Sequence, residues 1–164
     1  MANQVDLLAL ADIRLIDRAE QPETAPRTAP PELRPLRTRA TVMIVDDERP
    51  ILGLLERTLK IENYEILSAQ SGAEALQRAR AHNGPIDLLI TDYAMSGMHG
   101  RELAAVLRQE MDDLAVLYQT GFSDRLFADR VELEDRVAFL EKPYSCRGLR
   151  EAARLVLFGE LNPA

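Results

Sequence analysis

Residues 41–48, which read TVMIVDDE, decide the fold of this 164-residue chain. Four consecutive apolar residues occupy positions 42–45, and three acidic residues follow them directly. A short strand that is apolar on both faces belongs inside a parallel sheet with helices on either side, because every side chain must be covered. The sequence therefore predicts a buried strand at residues 42–45, with carboxylates at its carboxyl end.

Similar apolar runs recur along the rest of the chain and are separated by segments with helical periodicity. Further strands are predicted at residues 64–67, 86–90, 114–117 and 137–140. Five strands alternating with five helices predict an α/β domain with a flavodoxin-like, doubly wound, five-stranded parallel sheet of strand order 2-1-3-4-5. The helices are predicted around Leu52, Leu55 and Leu59; around Ala75, Leu76 and Ala79; around Leu103, Val106 and Leu107; within residues 124–134; and around Leu149, Ala152, Ala153 and Val156.

The first 40 residues differ in composition from the rest of the chain. Apolar residues fall on one face of a helix in residues 1–20, which predicts an amphipathic helical segment. Five of the nine prolines lie within residues 21–38, so residues 21–40 are predicted to be a linker, and residues 41–160 the folded domain. The apolar face of the first segment is expected to dock on its own domain, on a second copy or on a partner protein.

Charge and composition narrow the classes of function. The net charge of −7 falls entirely on residues 40–164, because residues 1–39 carry equal numbers of basic and acidic residues. An acidic domain repels phosphates, which argues against nucleic acid as a partner. No apolar run is long enough for a membrane span, and the single cysteine, Cys146, suits a reducing compartment. A cytoplasmic protein without a membrane partner is expected.

Polar residues stand at the predicted carboxyl ends of four strands. They are Asp46-Asp47-Glu48 after the first strand, Thr91-Asp92 after the third, Thr120-Gly121 after the fourth and Glu141-Lys142-Pro143 after the fifth. The carboxyl ends of parallel strands meet at one edge of a sheet, so three carboxylates, a hydroxyl and an amine are expected together. Clustered carboxylates raise one another's pKa, and a magnesium ion with oxygen ligands relieves that repulsion.

These groups predict phosphoryl transfer to a carboxylate. Asp92 is the expected nucleophile, because the central third strand directs its end into the crevice. Asp46 and Asp47 are predicted to hold the metal, and Lys142 to neutralise charge on the transferring phosphoryl oxygens. Thr120 is predicted to donate its hydroxyl to a phosphoryl oxygen, and Lys142 to pair with Asp92 at rest.

With these motifs in place, residues 41–158 resemble the receiver domain of bacterial two-component response regulators. The acidic pair Asp46-Asp47, the phosphoacceptor Asp92, the switch threonine Thr120 and the lysine of Lys142-Pro143 each match a motif of that family. The resemblance implies a cis peptide bond before Pro143. It also implies a metal ligand at the backbone carbonyl of Ala94, and an aromatic switch residue at Phe139 that turns inward when Thr120 moves toward the phosphoryl group.

The loop after the phosphoacceptor departs from the family pattern at two positions. Ser96 replaces the usual proline, and His99 replaces the usual acidic or amide residue, so the loop is expected to be more mobile. In the family, side chains two residues after the phosphoacceptor and two after the switch threonine flank the hydrolytic water. Those positions are Ala94 and Phe122, both apolar, which predicts slow self-dephosphorylation.

The resemblance implies a phosphorelay protein rather than an enzyme with turnover. A histidine kinase or a histidine phosphotransfer protein is the expected donor, and Mg²⁺ the expected cofactor. With no output domain of its own, the domain is expected to signal through onward transfer, through a downstream protein partner or through a homodimer. Two alternatives remain: a metal-dependent phosphohydrolase with an aspartyl-phosphate intermediate, and an interaction module that works without phosphorylation.

Overall fold

The computed structural model describes residues 39–121 and 136–159 fully, together with the backbone of residues 13 and 14. Short loops connect the strands and helices in these ranges. In chain order they are β1 (Ile13–Arg14), β2 (Thr41–Val45), α1 (Arg49–Lys60), β3 (Glu65–Ala69), α2 (Gly72–Ala81), β4 (Leu88–Asp92), α3 (Gly100–Glu110), β5 (Ala115–Thr120), β6 (Val137–Glu141) and α4 (Cys146–Phe158).

Five of the strands form a parallel sheet. Their spatial order is β3-β2-β4-β5-β6, which is 2-1-3-4-5 when β1 is left out of the count. This confirms the predicted flavodoxin-like topology, and all five predicted strands are present. The register pairs Val45 with Thr91 and Asp92 with Gln119, so the strands end together. We call this end of the sheet, with Asp46, Asp92, Thr120 and Lys142, the carboxyl edge.

In the described part of the chain, two helices cover each face of the sheet. The side chains of α1 and α4 pack with alternate residues of the strands in one buried cluster, and those of α2 and α3 form a second cluster on the other face. Strands β2, β4 and β5 are buried along nearly their whole length, as their continuous apolar sequence predicts. The helix predicted within residues 124–134 lies outside the described residues.

Local sequence signals set where the helices begin. Pro50 stands in the first turn of α1, where its missing N–H costs nothing. A capping pair marks the start of α2: the backbone N–H of Glu74 donates to Ser71 Oγ at 3.2 Å. The Glu74 carboxylate accepts from the backbone N–H of Gln70 at 2.8 Å, so both side chains satisfy N–H groups at this end.

The helix predicted over residues 1–20 is wrong at residues 13 and 14. There the backbone forms β1, which pairs antiparallel with β6 through Ile13 with Leu140 and Arg14 with Phe139. Without β1, the outer edge of β6 would present unpaired N–H and C=O groups, and an extended segment can satisfy them whereas a helix cannot. The rest of that segment, and the predicted linker up to residue 38, lie outside the described residues.

Candidate functional site

Side chains from three strand ends meet at the carboxyl edge. Asp46 directly follows β2, Asp92 ends β4, and Lys142 directly follows β6. The Lys142 ammonium lies 2.9 Å from Asp92 Oδ2 and 3.4 Å from Asp46 Oδ2, so one cation bridges two carboxylates. The predicted resting pair of Lys142 and Asp92 is therefore present, and the peptide bond between Lys142 and Pro143 is cis, as predicted.

Asp46 is a carboxylate enclosed by the protein. Its side chain has no exposed surface, and Oδ1 accepts a hydrogen bond from the backbone N–H of Glu48 at 2.9 Å. Burial raises the pKa of Asp46, while the hydrogen bond from Glu48 and the charge of Lys142 oppose the rise. Burying a carboxylate is unfavourable for folding, and groups held in this way are concentrated at functional sites.

Lys142 remains a cation in this setting. Burial by itself lowers the pKa of Lys142, but the hydrogen bond to Asp92 and the charges of Asp46 and Asp92 outweigh burial, so the pKa is raised. The backbone N–H of Lys142 donates to the carbonyl of Thr120 at 2.7 Å, which attaches the loop after β6 to the end of β5. A protonated amine is thus held against Asp92.

Asp92 can be reached from solvent. Its side chain is 18% exposed, and Oδ1 accepts a hydrogen bond from the backbone N–H of Ala94 at 3.1 Å. Behind it, Gly100 at the start of α3 packs so closely that an added Cβ would lie 2.3 Å from the carbonyl oxygen of Asp92. Glycine at position 100 therefore allows α3 to begin directly against the strand that ends in Asp92.

Asp47 faces a different neighbour from Asp46. Asp47 is exposed, and its Oδ2 accepts hydrogen bonds from Ser96, at 3.2 Å from the backbone N–H and 2.9 Å from Oγ. These two bonds lower the pKa of Asp47. A proline at position 96 could donate neither bond, so the departure from the family pattern ties the loop after β4 to Asp47. The sequence analysis expected a more mobile loop from this departure and did not predict the contact.

The oxygen donors at the carboxyl edge suit a hard divalent cation. Within residues 39–121 and 136–159, no three histidine, cysteine, aspartate or glutamate side chains are arranged to hold a metal ion by themselves. Magnesium needs fewer protein ligands than three, because it keeps several bound waters and binds through one or two carboxylates. Asp46, Asp47 and Asp92 against the single ammonium of Lys142 leave an excess of negative charge, which a divalent cation can neutralise.

The two predicted switch residues lie on β5 and β6. Thr120 is nearly buried at the last position of β5, one residue beyond the register partner of Asp92. Phe139 is half-buried and stacks on Tyr118, with ring centroids 5.3 Å apart, while Tyr93 lies 6.5 Å from it. The sequence analysis missed the two tyrosines. The register that pairs Tyr118 with Phe139 was the signal that could have found one of them.

Residues 42–154 match the family model described as the response regulator receiver domain. The chain belongs to the response regulator receiver family. The match covers the strand ends described above, so Asp46, Asp47, Asp92, Thr120 and Lys142, to which the resemblance assigns roles, all lie within it. Among the helices that the structure describes, none combines the length and apolar character needed to cross a bilayer.

Curated relatives of this receiver domain are longer proteins. The sensor kinase CckA of Brucella abortus is 30% identical over 118 residues, which are 72% of this chain and 12% of that protein. The transcriptional regulatory protein YvrH of Bacillus subtilis is 34% identical over 120 residues, which are 71% of this chain and 47% of that protein. The chain therefore spans less than half the length of these two relatives.

Solved structures match over the same part of the chain. The receiver domain of the hybrid histidine kinase CckA is 30% identical, with a TM-score of 0.61, and the match covers 72% of this chain and 99% of that one. The response regulator TrrA of Thermotoga maritima, in complex with Mg²⁺ and BeF, gives the same identity, TM-score and coverage. A receiver domain from Clostridium thermocellum is 27% identical, with a TM-score of 0.63, covering 72% of this chain and 94% of that one.

Proposed function

We propose that this receiver domain stores a signal as a phosphoryl group on Asp92. The observation that carries the proposal is the Lys142 ammonium, which contacts Asp92 and the buried Asp46 at once while leaving Asp92 open to solvent. A fixed cation beside an accessible carboxylate is what a loose phosphoryl-transfer transition state requires. The donor we propose is a histidine kinase or a histidine phosphotransfer protein.

The transfer makes one bond and breaks one bond. A carboxylate oxygen of Asp92 attacks the phosphorus of a phosphohistidine, the new P–O bond forms, and the P–N bond breaks. The electron pair of the broken bond stays on the imidazole, which takes a proton from solvent. The Lys142 ammonium neutralises negative charge on the phosphoryl oxygens. Thr120, at the adjacent strand end, is the proposed hydroxyl donor to one of these oxygens.

Magnesium is the cofactor that we propose for this step. Asp46, Asp47, Asp92 and the backbone carbonyl of Ala94 would hold it, directly or through water, since all four offer oxygen atoms. When bound, the ion supplies additional positive charge for the phosphoryl oxygens. The support for this choice is the donor set itself and the related protein TrrA, which was solved in complex with Mg²⁺ and BeF.

We propose that the output is a rearrangement around Thr120 and Phe139 or onward transfer of the phosphoryl group. Either a downstream protein partner or a second copy of the domain would read it, rather than a DNA site or a membrane. The acidic charge of residues 40–164 supports a protein partner over nucleic acid. The exposed free thiol of Cys146 supports a reducing, cytoplasmic setting.

Intact-mass measurement tests the phosphoacceptor. The protein is incubated with Mg²⁺ and acetyl phosphate or phosphoramidate, and we expect wild type to gain one phosphoryl group and Asp92→Asn to gain none. Asp112→Asn, which changes an exposed carboxylate beyond α3, is the matched control and should be labelled like wild type. Labelling of Asp92→Asn would contradict the assignment.

Steady phosphate release from generic monoesters would support the phosphohydrolase alternative, although Ala94 offers no general acid two residues after Asp92.

We also propose that self-dephosphorylation is slow and that the protein has no catalytic turnover of its own. Ala94 is exposed beside Asp92 and cannot orient an attacking water, and Phe122 lies outside the described residues. Ala94→Asn should accelerate loss of the phosphoryl group roughly tenfold, the effect of about one added hydrogen bond to that water. Ala94→Val is the apolar control and should decay like wild type. Equal decay of Ala94→Asn and wild type would contradict the proposal.

A further inference from the structure

A buried amide lies in the core directly before the switch threonine. Gln119 has no exposed surface, and its Oε1 accepts a hydrogen bond from the hydroxyl of Tyr144. Its Nε2 is buried and has no hydrogen-bond partner in the described part of the chain. An apolar side chain would fill this position without leaving a donor unpaired, so the amide is not explained by packing.

Gln119 and Tyr144 adjoin the phosphoacceptor. Gln119 pairs in register with Asp92 on β4, and register partners in a parallel sheet direct their side chains to the same face. Tyr144 is half-buried two residues after Lys142. Burial raises the pKa of Tyr144, and the charges of Asp46 and Asp92 raise it further, which places the hydroxyl within the field of both carboxylates. The hydroxyl therefore stays protonated and keeps donating to Gln119.

Two contacts attach the loop of residues 142–144 to the end of β5. The backbone N–H of Lys142 donates to the carbonyl of Thr120 at 2.7 Å, and the Tyr144 hydroxyl donates to the Gln119 side chain. The carbonyl of Gln119 in turn accepts from the backbone N–H of Tyr93 at 2.8 Å, which links this end of β5 to the loop after Asp92. Gln119 and Tyr144 thus join the backbone segments that carry Lys142 and Asp92.

We propose that Gln119 and Tyr144 are a positioning pair that holds Lys142 against Asp92 at rest and rearranges when Asp92 is phosphorylated. The inference rests on the proposed function. The unpaired Nε2 raises the free energy of the resting arrangement, and a rearrangement that gives this donor an acceptor is favoured by the difference. Phosphorylation brings new oxygen acceptors that attract Lys142, and this change triggers the rearrangement.

Phosphorylation kinetics with three variants test the positioning role. We expect Tyr144→Phe to lower the rate constant of labelling at saturating acetyl phosphate and Mg²⁺ by roughly tenfold, because a small displacement of a charge-stabilising group has a large effect on rate. Replacing both partners by apolar groups, in Gln119→Leu with Tyr144→Phe, should restore the melting temperature of Tyr144→Phe toward wild type and leave the rate low. Tyr64→Phe removes a buried hydroxyl from the same core cluster, away from the carboxyl edge, and should keep the wild-type rate.

The side-chain amide of Gln119 provides a spectroscopic readout. Its ¹H–¹⁵N resonances, assigned by their loss in Gln119→Leu, should shift when beryllofluoride and Mg²⁺ are added to wild type. The same addition to Asp92→Asn should leave them in place. Resonances that stay fixed in wild type while backbone amides of residues 92–94 shift would overturn the rearrangement.

The possible results distinguish failure of the positioning role of Gln119 and Tyr144 from failure of the proposed function. A double variant that recovers both melting temperature and rate would overturn the positioning role while wild-type labelling upheld the proposed function. A rate loss in Tyr64→Phe equal to that in Tyr144→Phe would likewise overturn it, since any lost core hydroxyl would then suffice. Wild type that takes up no phosphoryl group would overturn the proposed function and this inference with it.

Discussion

A buried or half-buried aspartate lies at each of the two ends of the parallel sheet, and the surroundings of the two side chains differ. At the carboxyl edge, Asp46 is enclosed and lies 3.4 Å from an ammonium that is closer to another carboxylate. At the other end of the same strands, which we call the amino edge and which includes Thr41, Asp87 and Ala115, Asp87 joins three strands. The chemistry of the side chain is the same, so the difference lies in what surrounds it.

At the amino edge the aspartate completes the backbone pairing. Asp87 Oδ2 accepts from the buried N–H of Thr41 at 2.8 Å, and the backbone N–H of Asp87 donates to the Thr41 carbonyl at 2.9 Å. The Asp87 carbonyl accepts from the N–H of Ala115 at 3.1 Å. Asp87 thereby connects the starts of β2, β4 and β5, and every one of these contacts favours the fold.

At the carboxyl edge the polar groups are poorly compensated. Burial raises the pKa of Asp46, and the side chain of Gln119 has a buried, unpaired Nε2 in the described part of the chain. Both arrangements lower stability relative to apolar residues of similar shape. The contrast shows that Asp87 stabilises the protein at the amino edge, whereas Asp46 at the carboxyl edge lowers its stability, as expected of a carboxylate that serves the proposed phosphoryl transfer.

The largest change in stability is expected from Asp87→Ala. The substitution leaves the buried N–H of Thr41 without its acceptor, so the free energy of unfolding should fall by about 1–3 kcal/mol. Chemical denaturation measures the change, and the labelling rate per folded molecule should be unaffected. Asp87→Asn keeps an oxygen acceptor and is the matched control. A stability loss below that of Asp87→Asn would contradict the structural role of this residue.

A smaller effect of opposite sign is expected from Asp46→Asn. The amide keeps the acceptor for the Glu48 N–H and removes a buried charge, so in the absence of Mg²⁺ the free energy of unfolding should rise by about 1 kcal/mol. Phosphorylation should be strongly impaired in the same variant. Asp112→Asn, at an exposed position, is the control and should leave stability unchanged. If Asp46→Asn instead destabilises the protein as much as Asp87→Ala, the two edges are not different.

Much of the fold could be predicted from the sequence because its signals are local. A run such as residues 42–45 is apolar on both faces and fits only a covered strand, and the helices have one apolar face each. The prediction failed at residues 13 and 14, where helical periodicity favoured a helix. The outcome there depended on the free edge of β6, a distant feature that no local pattern encodes.

The residues of the candidate site could be predicted from the sequence, but the contacts between them could not. Asp46, Asp92, Thr120 and Lys142 each stand at a strand end in the sequence, so their convergence follows from the topology. The different contacts of the two neighbouring aspartates, Asp46 and Asp47, do not follow from the topology. Both residues follow β2, but Asp46 turns inward to Lys142, in the loop after β6, and Asp47 turns outward to Ser96, in the loop after β4.

The sequence by itself determined the class of fold, the order of the strands and the set of groups that meet at the carboxyl edge, because periodicity and chain order are properties of the sequence. Only the tertiary structure decided that one ammonium bridges Asp46 and Asp92, that Ser96 is bound to Asp47, and that Tyr144 donates to the buried Gln119. These contacts join residues far apart in the chain. Their existence depends on side-chain distances and burial, which arise only once the strands and helices have packed.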